Sequence, residues 1–226
     1  MRKAVALLLV LVVGAGFCAV LAKIPFGADK TNVANRYVRE GVRETGAANI
    51  VTSVVVTYRG FDTLGEVTVL FIAAAAVGAV LFPAKDPAGE QKEQASLIVR
   101  TGSQLLFPLI VLLGGYIFLH GHLTPGGGFQ GGAVIASAFL LLYLAWPGRA
   151  AGRKAFSAVE SLSGLAFVAV GVFGIIYGVG FLGNFLPLGV RNELLSAGVI
   201  PIIYVAIGLK VGAELAGVVG YLMERE

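Results

Sequence analysis

Six long apolar runs, separated by polar or turn-rich stretches, set the pattern of the chain. They are Ala4 to Ala22, Leu64 to Phe82, Thr101 to Leu119, Gln130 to Trp146, Glu160 to Leu182 and Leu194 to Met223. A helix needs roughly 20 apolar residues to cross a hydrocarbon layer of about 30 Å, and each run approaches or exceeds that length. The pattern predicts an all-α integral membrane protein with about six transmembrane helices. The sixth run differs from the others because Lys210 and Glu214 interrupt it. A seventh stretch, "TGAANIVTSVVVTY" from Thr45 to Tyr58, has 14 residues and is too short to cross, so it reads as an interfacial or re-entrant helix. "FPAKDPAGEQKEQAS", Phe82 to Ser96, carries two prolines and mixed charge and reads as a linker. It divides a two-helix unit, residues 1–92, from a four-helix unit, residues 93–226.

Composition strengthens this reading. Of the 226 residues 57% are hydrophobic and 13% charged, against about 25% charged in a soluble domain. The first run has 19 apolar residues, longer than the core of a secretory signal, and is expected to remain as a helix. The net charge of +4 is spread over loops rather than gathered with aromatics on one face, so it reads as topology and not as a nucleic-acid surface. With Arg2 and Lys3 inside, alternation places nine basic residues inside (these two, Lys85, Lys92, Arg100, Arg149, Arg153, Lys154 and Arg225) and seven outside (Lys23, Lys30, Arg36, Arg39, Arg43, Arg59 and Arg191). Both termini are then expected in the cytoplasm, with the chain in the cell (inner) membrane and the lipid bilayer as its solvent. Cys18 is the single cysteine, so no iron–sulfur ligand set is built from this chain alone.

"HGHLTPGGGFQGG", residues 120–132, holds both histidines and, besides Gly121, five closely spaced glycines. It matches G-x-G-x-x-G at Gly126, Gly128 and Gly131, yet lacks the preceding strand and the acidic residue about 20 positions on that dinucleotide binding requires. His120 and His122 have no cysteine or nearby carboxylate to complete a metal shell, and histidines at a helix end also serve as caps or packing groups. The expected role of the glycines is a turn packed where side chains do not fit, with no metal. Glycine is frequent inside the runs as well, and small residues let membrane helices approach closely. Pro108 and Pro201 lie within runs and are expected to kink them.

Ionisable groups inside a membrane are candidates for function. Glu66 follows Thr63 in a T-x-x-E pattern and Glu160 follows Ser157 in an S-x-x-E pattern, so each reads either as a capping box or as an ion-path station. Lys210 and Glu214 are four residues apart on one helical face and can pair; they either snorkel to an interface or form a polar site in the membrane. Buried carboxylates beside a lysine suit proton transfer or binding of a hard cation through oxygen, and His120 is a further candidate station.

The motifs carry two resemblances. From about Leu97 to the C-terminus the chain resembles the B subunit family of multisubunit sodium/proton antiporters, the Mrp or Mnh type. The family's P-G-G-G-F-x-x-G loop is matched by Pro125, Gly126, Gly127, Gly128, Phe129 and Gly132, and "GLKVG", Gly208 to Gly212, is similar to its last helix. Asn49 to Leu70 resembles the C-terminal end of the large, A-type antiporter chain, which corresponds to the small, E-type chain of membrane-bound hydrogenases. Its R-G-F-D-T-x-G-E motif is matched by Arg59, Gly60, Phe61, Asp62, Thr63, Gly65 and Glu66. The chain therefore resembles a fusion of two neighbouring subunits.

The resemblance implies a non-enzymatic subunit of an assembly that exchanges sodium for protons, with Glu66 in the ion path. The implied partners are A/D-, C- and G-like antiporter subunits and, in a hydrogenase-like respiratory complex, a peripheral module. Iron–sulfur or nickel–iron centres would belong to those partners, since this chain holds no cofactor in this reading. A scaffold subunit without an ion path is the alternative. A free-standing small transporter is the third reading, disfavoured because six helices show no inverted repeat.

Overall fold

The computed structural model describes residues 2–23, 32–81, 95–147 and 152–225. Most of the expected linker, the boundary at residues 92 and 93, and Lys30, Lys85, Lys92 and Arg149 lie outside the described residues. The described chain is helical, with six helices long and apolar enough to cross a membrane. It is a multi-pass membrane protein. Two compact units are distinguished, residues 1–36 and 37–226. The first contains α1 (Arg2–Leu21), whose large apolar side chains are exposed along its length, as suits a helix solvated by lipid.

An amphipathic helix that the apolar pattern does not announce, α2 (Asn32–Thr45), leads into the second unit. Gly41 and Thr45 on one of its faces are buried. Next comes α3 (Ile50–Thr52), started by Asn49, whose side chain accepts from the Val51 amide, and continued as a π-helix from Ser53 to Tyr58. Together they span nine residues, too few to cross a membrane as a helix.

The spanning helices of this unit are α4 (Gly60–Leu81), α5 (Leu97–Leu119), α6 (Gly128–Ala145), α7 (Arg153–Tyr177) and α8 (Ile200–Arg225). α8 is the hub: 61% of its membrane window is buried, against 17–39% for the other four, and α4, α5, α6 and α7 all pack on it. Ile200, Ile203, Ile207 and Val211 of α8 meet Val67 of α4 and Phe167 of α7 in the core.

Several boundaries differ from the apolar runs. α7 stops at Tyr177 rather than Leu182 because the chain turns back on it: the Leu182 amide donates to the Gly171 carbonyl at 3.3 Å. A β-carbon on Gly171 would lie 2.4 Å from the Phe181 ring, so that glycine makes the return possible. α8 starts at Ile200 rather than Leu194, after Ala197 and Gly198 adopt positive φ. Pro201 consequently sits in the first helical turn, where its missing N–H breaks no helix bond, and the kink expected there does not arise. α4 starts at Gly60 and α7 at Arg153, which places Thr63 and Ser157 inside their helices, so neither is an N-cap and neither capping box forms. Thr63 instead donates to the Val55 carbonyl at 2.5 Å, tying α4 back to the π-helix.

Candidate functional site: a buried ion pair beside a polar cavity

The glycine loop builds the seam that positions α8. Gly127 has φ +152°, and α6 begins at the next residue. A β-carbon on Gly128 would lie 2.6 Å from Ile207, and one on Gly132 would lie 2.8 Å from the Gly208 carbonyl oxygen and 2.9 Å from the Gly212 nitrogen. On the neighbouring side a β-carbon on Gly131 would lie 2.6 Å from the Gly114 carbonyl oxygen of α5. α6 is thus held at backbone contact between α5 and α8, the packing role expected for the P-G-G-G-F-x-x-G loop. Pro125 is exposed in the turn, Gly126 sits against the Ile117 carbonyl, and Phe129 packs against the core.

A polar clamp closes the same end of the bundle. Thr52 donates to the Gly121 carbonyl at 2.7 Å and shares a 2.8 Å hydrogen bond with the Tyr204 hydroxyl. The Asn49 side chain donates to the carbonyls of Gly121 and Thr124 at 2.9 and 3.1 Å. Beneath it lies His122, fully buried, with no hydrogen-bond partner of ordinary geometry on either ring nitrogen among the described residues. Burial holds its pKa below the ordinary histidine value; backbone groups at Glu193 and Leu194 act the other way, and the charge of His120 adds to the lowering. His120 itself caps α5, stacked on Tyr116 at 4.2 Å with Nδ1 3.1 Å from the Tyr116 carbonyl oxygen.

Lys210 and Glu214 lie well inside α8. Lys210 is its eleventh residue, roughly 15 Å from the helix start at 1.5 Å per residue, near the middle of a 30 Å hydrocarbon layer. The two form an ion pair at 2.5 Å and are 7% and 2% exposed, so neither snorkels to an interface. Phe71 of α4 places its ring 4.9 Å from the ammonium, and Gly164 of α7 leaves room for the lysine stem, 3.7 Å from where a β-carbon would stand. The second carboxylate oxygen of Glu214, Oε2, is buried and accepts no hydrogen bond among the described residues.

That carboxylate borders a cavity of about 240 Å³ between α4, α6, α7 and α8, and Glu160 lines the same cavity. The structure therefore brings together Lys210, Glu214 and Glu160. It does not bring Glu66 or His120 to them. Glu66 stands on an exposed face of α4, roughly 9 Å along the helix. Asp62, one turn before it, pairs with Arg59 at 2.6 Å with both side chains exposed. The R-G-F-D-T part of the motif shapes the turn into α4: Gly60 packs beneath Leu182 and Thr63 anchors the turn, while Glu66 has no contact among the described residues that explains it.

With this geometry in place, comparison with known proteins settles the family. Residues 98–217 match the family described as a domain related to the MnhB subunit of Na+/H+ antiporters. The chain belongs to that family. Residues 1–95 match a second family, MbhE, described as the E subunit of MBH, so the expected fusion of an E-like with a B-like part is present. An uncharacterised protein of Methanocaldococcus jannaschii is 33% identical over 84% of this chain and 85% of its own length. A probable K+/H+ antiporter protein of Rhizobium meliloti, a combined A/B subunit, is 29% identical over 64% of this chain, which spans 17% of that protein. The B subunit of a Bacillus subtilis Na+/H+ antiporter is 36% identical over 48% of this chain and 80% of its own length.

Among solved structures, a chain of the archaeal membrane-bound sulfane sulfur reductase, a respiratory membrane complex, superposes with a TM-score of 0.80 at 46% identity over 98% of both chains. A chain of the Mrp complex of Dietzia matches with a TM-score of 0.75 at 26% identity, and this chain spans 26% of it. The MnhB-related chain is a membrane subunit of a Na+/H+ antiporter-type module.

The sequence reading missed the residues that complete these sites. Tyr143, Ser157 and Tyr221 line the cavity, and Asn49, Thr52 and Tyr204 form the clamp. For Tyr143, Tyr204 and Tyr221 the available signal was a polar tip inside an apolar run.

Proposed function

We propose that this subunit carries part of an ion route in a sodium/proton antiporter module and is not a passive scaffold. The observation that carries this reading is the Lys210–Glu214 pair near mid-membrane, enclosed by three other helices and bordering a cavity. An ion pair placed there costs stability that an apolar pair does not, so a scaffold has no use for it. Glu66 is a second station, on a route completed by another chain. A carboxylate on the outer face of a spanning helix is expensive against lipid, so its neighbour is expected to be a partner subunit.

Expected partners are A/D-, C- and G-like antiporter subunits. The similarity to a chain of an archaeal respiratory complex supports placement beside a hydrogenase-like peripheral module. In that placement the iron–sulfur or nickel–iron chemistry resides in the peripheral subunits, sodium and protons are the transported ions, and both termini face the cytoplasm. His120 is left with a capping role.

The test exchanges Glu66, Glu160 and Glu214 for glutamine one at a time in the native complex and measures sodium-dependent proton exchange in membrane vesicles. Assembly with exchange reduced at least tenfold in Glu66→Gln supports the route. Normal assembly with exchange at the parental rate in all three supports the scaffold. Identification of co-purifying chains by mass spectrometry separates the two settings: antiporter subunits together with iron–sulfur or nickel–iron proteins indicate a redox-driven complex, and antiporter subunits alone indicate a secondary exchanger.

A further inference from the structure

Among the described residues, the cavity between α4, α6, α7 and α8 has a charge that its lining leaves unbalanced. Lys210 contributes one positive charge, and Glu214 and Glu160 contribute two negative ones when ionised. α4 adds no ionisable group to the lining, only Phe71 and two alanines; α6 adds the Tyr143 hydroxyl and α8 the Tyr221 hydroxyl. The ion pair uses one oxygen of Glu214 and leaves the other, Oε2, buried and without a hydrogen bond among the described residues. A buried carboxylate oxygen in that state calls for a cation or a donor.

We propose that this cavity binds one partly dehydrated alkali cation, with Glu214 Oε2 and Glu160 as the charged oxygen ligands. The reading deepens the ion-route proposal and rests on the ion-route role given there to the Lys210–Glu214 pair. One positive charge brings the cluster to neutrality, whereas a divalent ion leaves an excess charge in a low-dielectric site. Hard monovalent cations prefer oxygen, and Ser157, Tyr143 and Tyr221, which line the same cavity, carry neutral hydroxyl oxygens. A volume of about 240 Å³ holds such an ion with several waters. Ser157 is exposed and marks the mouth, so the ion enters from the α7 side of the cavity. Lys210 already neutralises one carboxylate and thereby sets the capacity at one monovalent ion.

The experiment is equilibrium binding of 22Na+ to the intact complex in lipid nanodiscs at pH 8 and low potassium, with 86Rb+ as a stand-in for potassium in a parallel series. The parent complex is expected to bind one ion more than the Glu160→Gln complex, and Glu160→Asp is expected to restore it. Ser157→Ala, which leaves the charges intact, is expected to keep the count and weaken affinity by about fivefold, the effect of losing one polar ligand. Whichever of 22Na+ and 86Rb+ shows the one-ion difference is the cation the site takes. Equal counts of both ions in parent and Glu160→Gln complexes overturn the proposal, and so does displacement of the ion by equimolar calcium. The binding count is independent of vesicle transport, so exchange at the parental rate in Glu66→Gln, Glu160→Gln and Glu214→Gln alike refutes the route while the ion count still decides this site.

Discussion

Replacing Lys210 with methionine preserves most of the side-chain volume and removes the charge that Glu214 faces. The carboxylate is 2% exposed, and its Oε1 loses its partner at 2.5 Å while Oε2 already has none among the described residues. Removing one partner of a buried pair costs about 3–5 kcal/mol, because the remaining charge is neither paired nor hydrated. Replacing both partners with apolar groups of similar size is often near neutral. Lys210→Met is therefore expected to lower the stability of the helix bundle by about 3–5 kcal/mol, equivalent to roughly two to four decades in the folded ratio. Adding Glu214→Leu is expected to recover most of that loss.

The assay is recovery of intact complex from membranes after graded heating, for the parent, each single variant and the double variant at matched expression. The singles should dissociate at clearly lower temperatures and the double near the parent. Singles that behave like the parent, or a double whose loss equals the sum of the singles, would refute the reasoning, since the pair would then be solvated or uncoupled. The same double variant is predicted to assemble yet transport poorly, which separates the stability of the pair from its use.

Two other expectations follow from local geometry. Gly132→Ala forces a β-carbon to 2.8 Å from the Gly208 carbonyl oxygen and should cost about 1–3 kcal/mol of bundle stability, whereas Gly115→Ala, with nothing within 4 Å, should be neutral or mildly stabilising; equal effects in the heating assay would contradict the seam. His122 has a folded pKa lowered by burial, so its neutral form is the folded one, and its contribution is complete above the unfolded value of 6.5. That contribution declines as pH falls below 6.5 toward the folded pKa. The dissociation temperature of the parent should drop more between pH 7.5 and 5.5 than that of His122→Leu, and parallel profiles would exclude the histidine as the source.

Much of the membrane architecture was legible in the sequence because hydropathy over 20 residues is set by lipid rather than by tertiary contacts. The helix ends were less legible. Residues 178–183 remain apolar, so hydropathy carries α7 past its end, yet the structure bends there on Gly171. α2 escaped notice because its overall composition is polar, although Tyr37, Gly41 and Thr45 recur every four residues on one face. The two apparent capping boxes misled because T-x-x-E and S-x-x-E identify a helix start only when the chain enters the helix there, and α4 and α7 begin earlier. Lys210 and Glu214 were visible as a pair from their spacing. That Glu160 joins them was not, because it depends on the alignment of α7 against α8: Gly164 lies opposite Lys210, which brings Glu160 to the level of Glu214.

The glycine loop and the ion pair, far apart in sequence, are two sides of one device. Gly208 and Gly212 alternate with Lys210 and Glu214 at intervals of two residues along α8. Two residues rotate a helix by about 200°, so the glycines and the charges occupy opposite faces. The glycine face is locked against α6 by backbone contact at Gly128 and Gly132, which fixes the rotation and depth of α8. The charged face is thereby held toward α4 and α7, where Phe71 and Glu160 stand, and cannot turn to lipid or slide to an interface. A buried charge is tolerated only where its surroundings cannot relax away from it. The seam is consequently a requirement of the polar site, and a wider α6–α8 spacing, as in Gly132→Ala, is expected to impair ion exchange even when the complex still assembles.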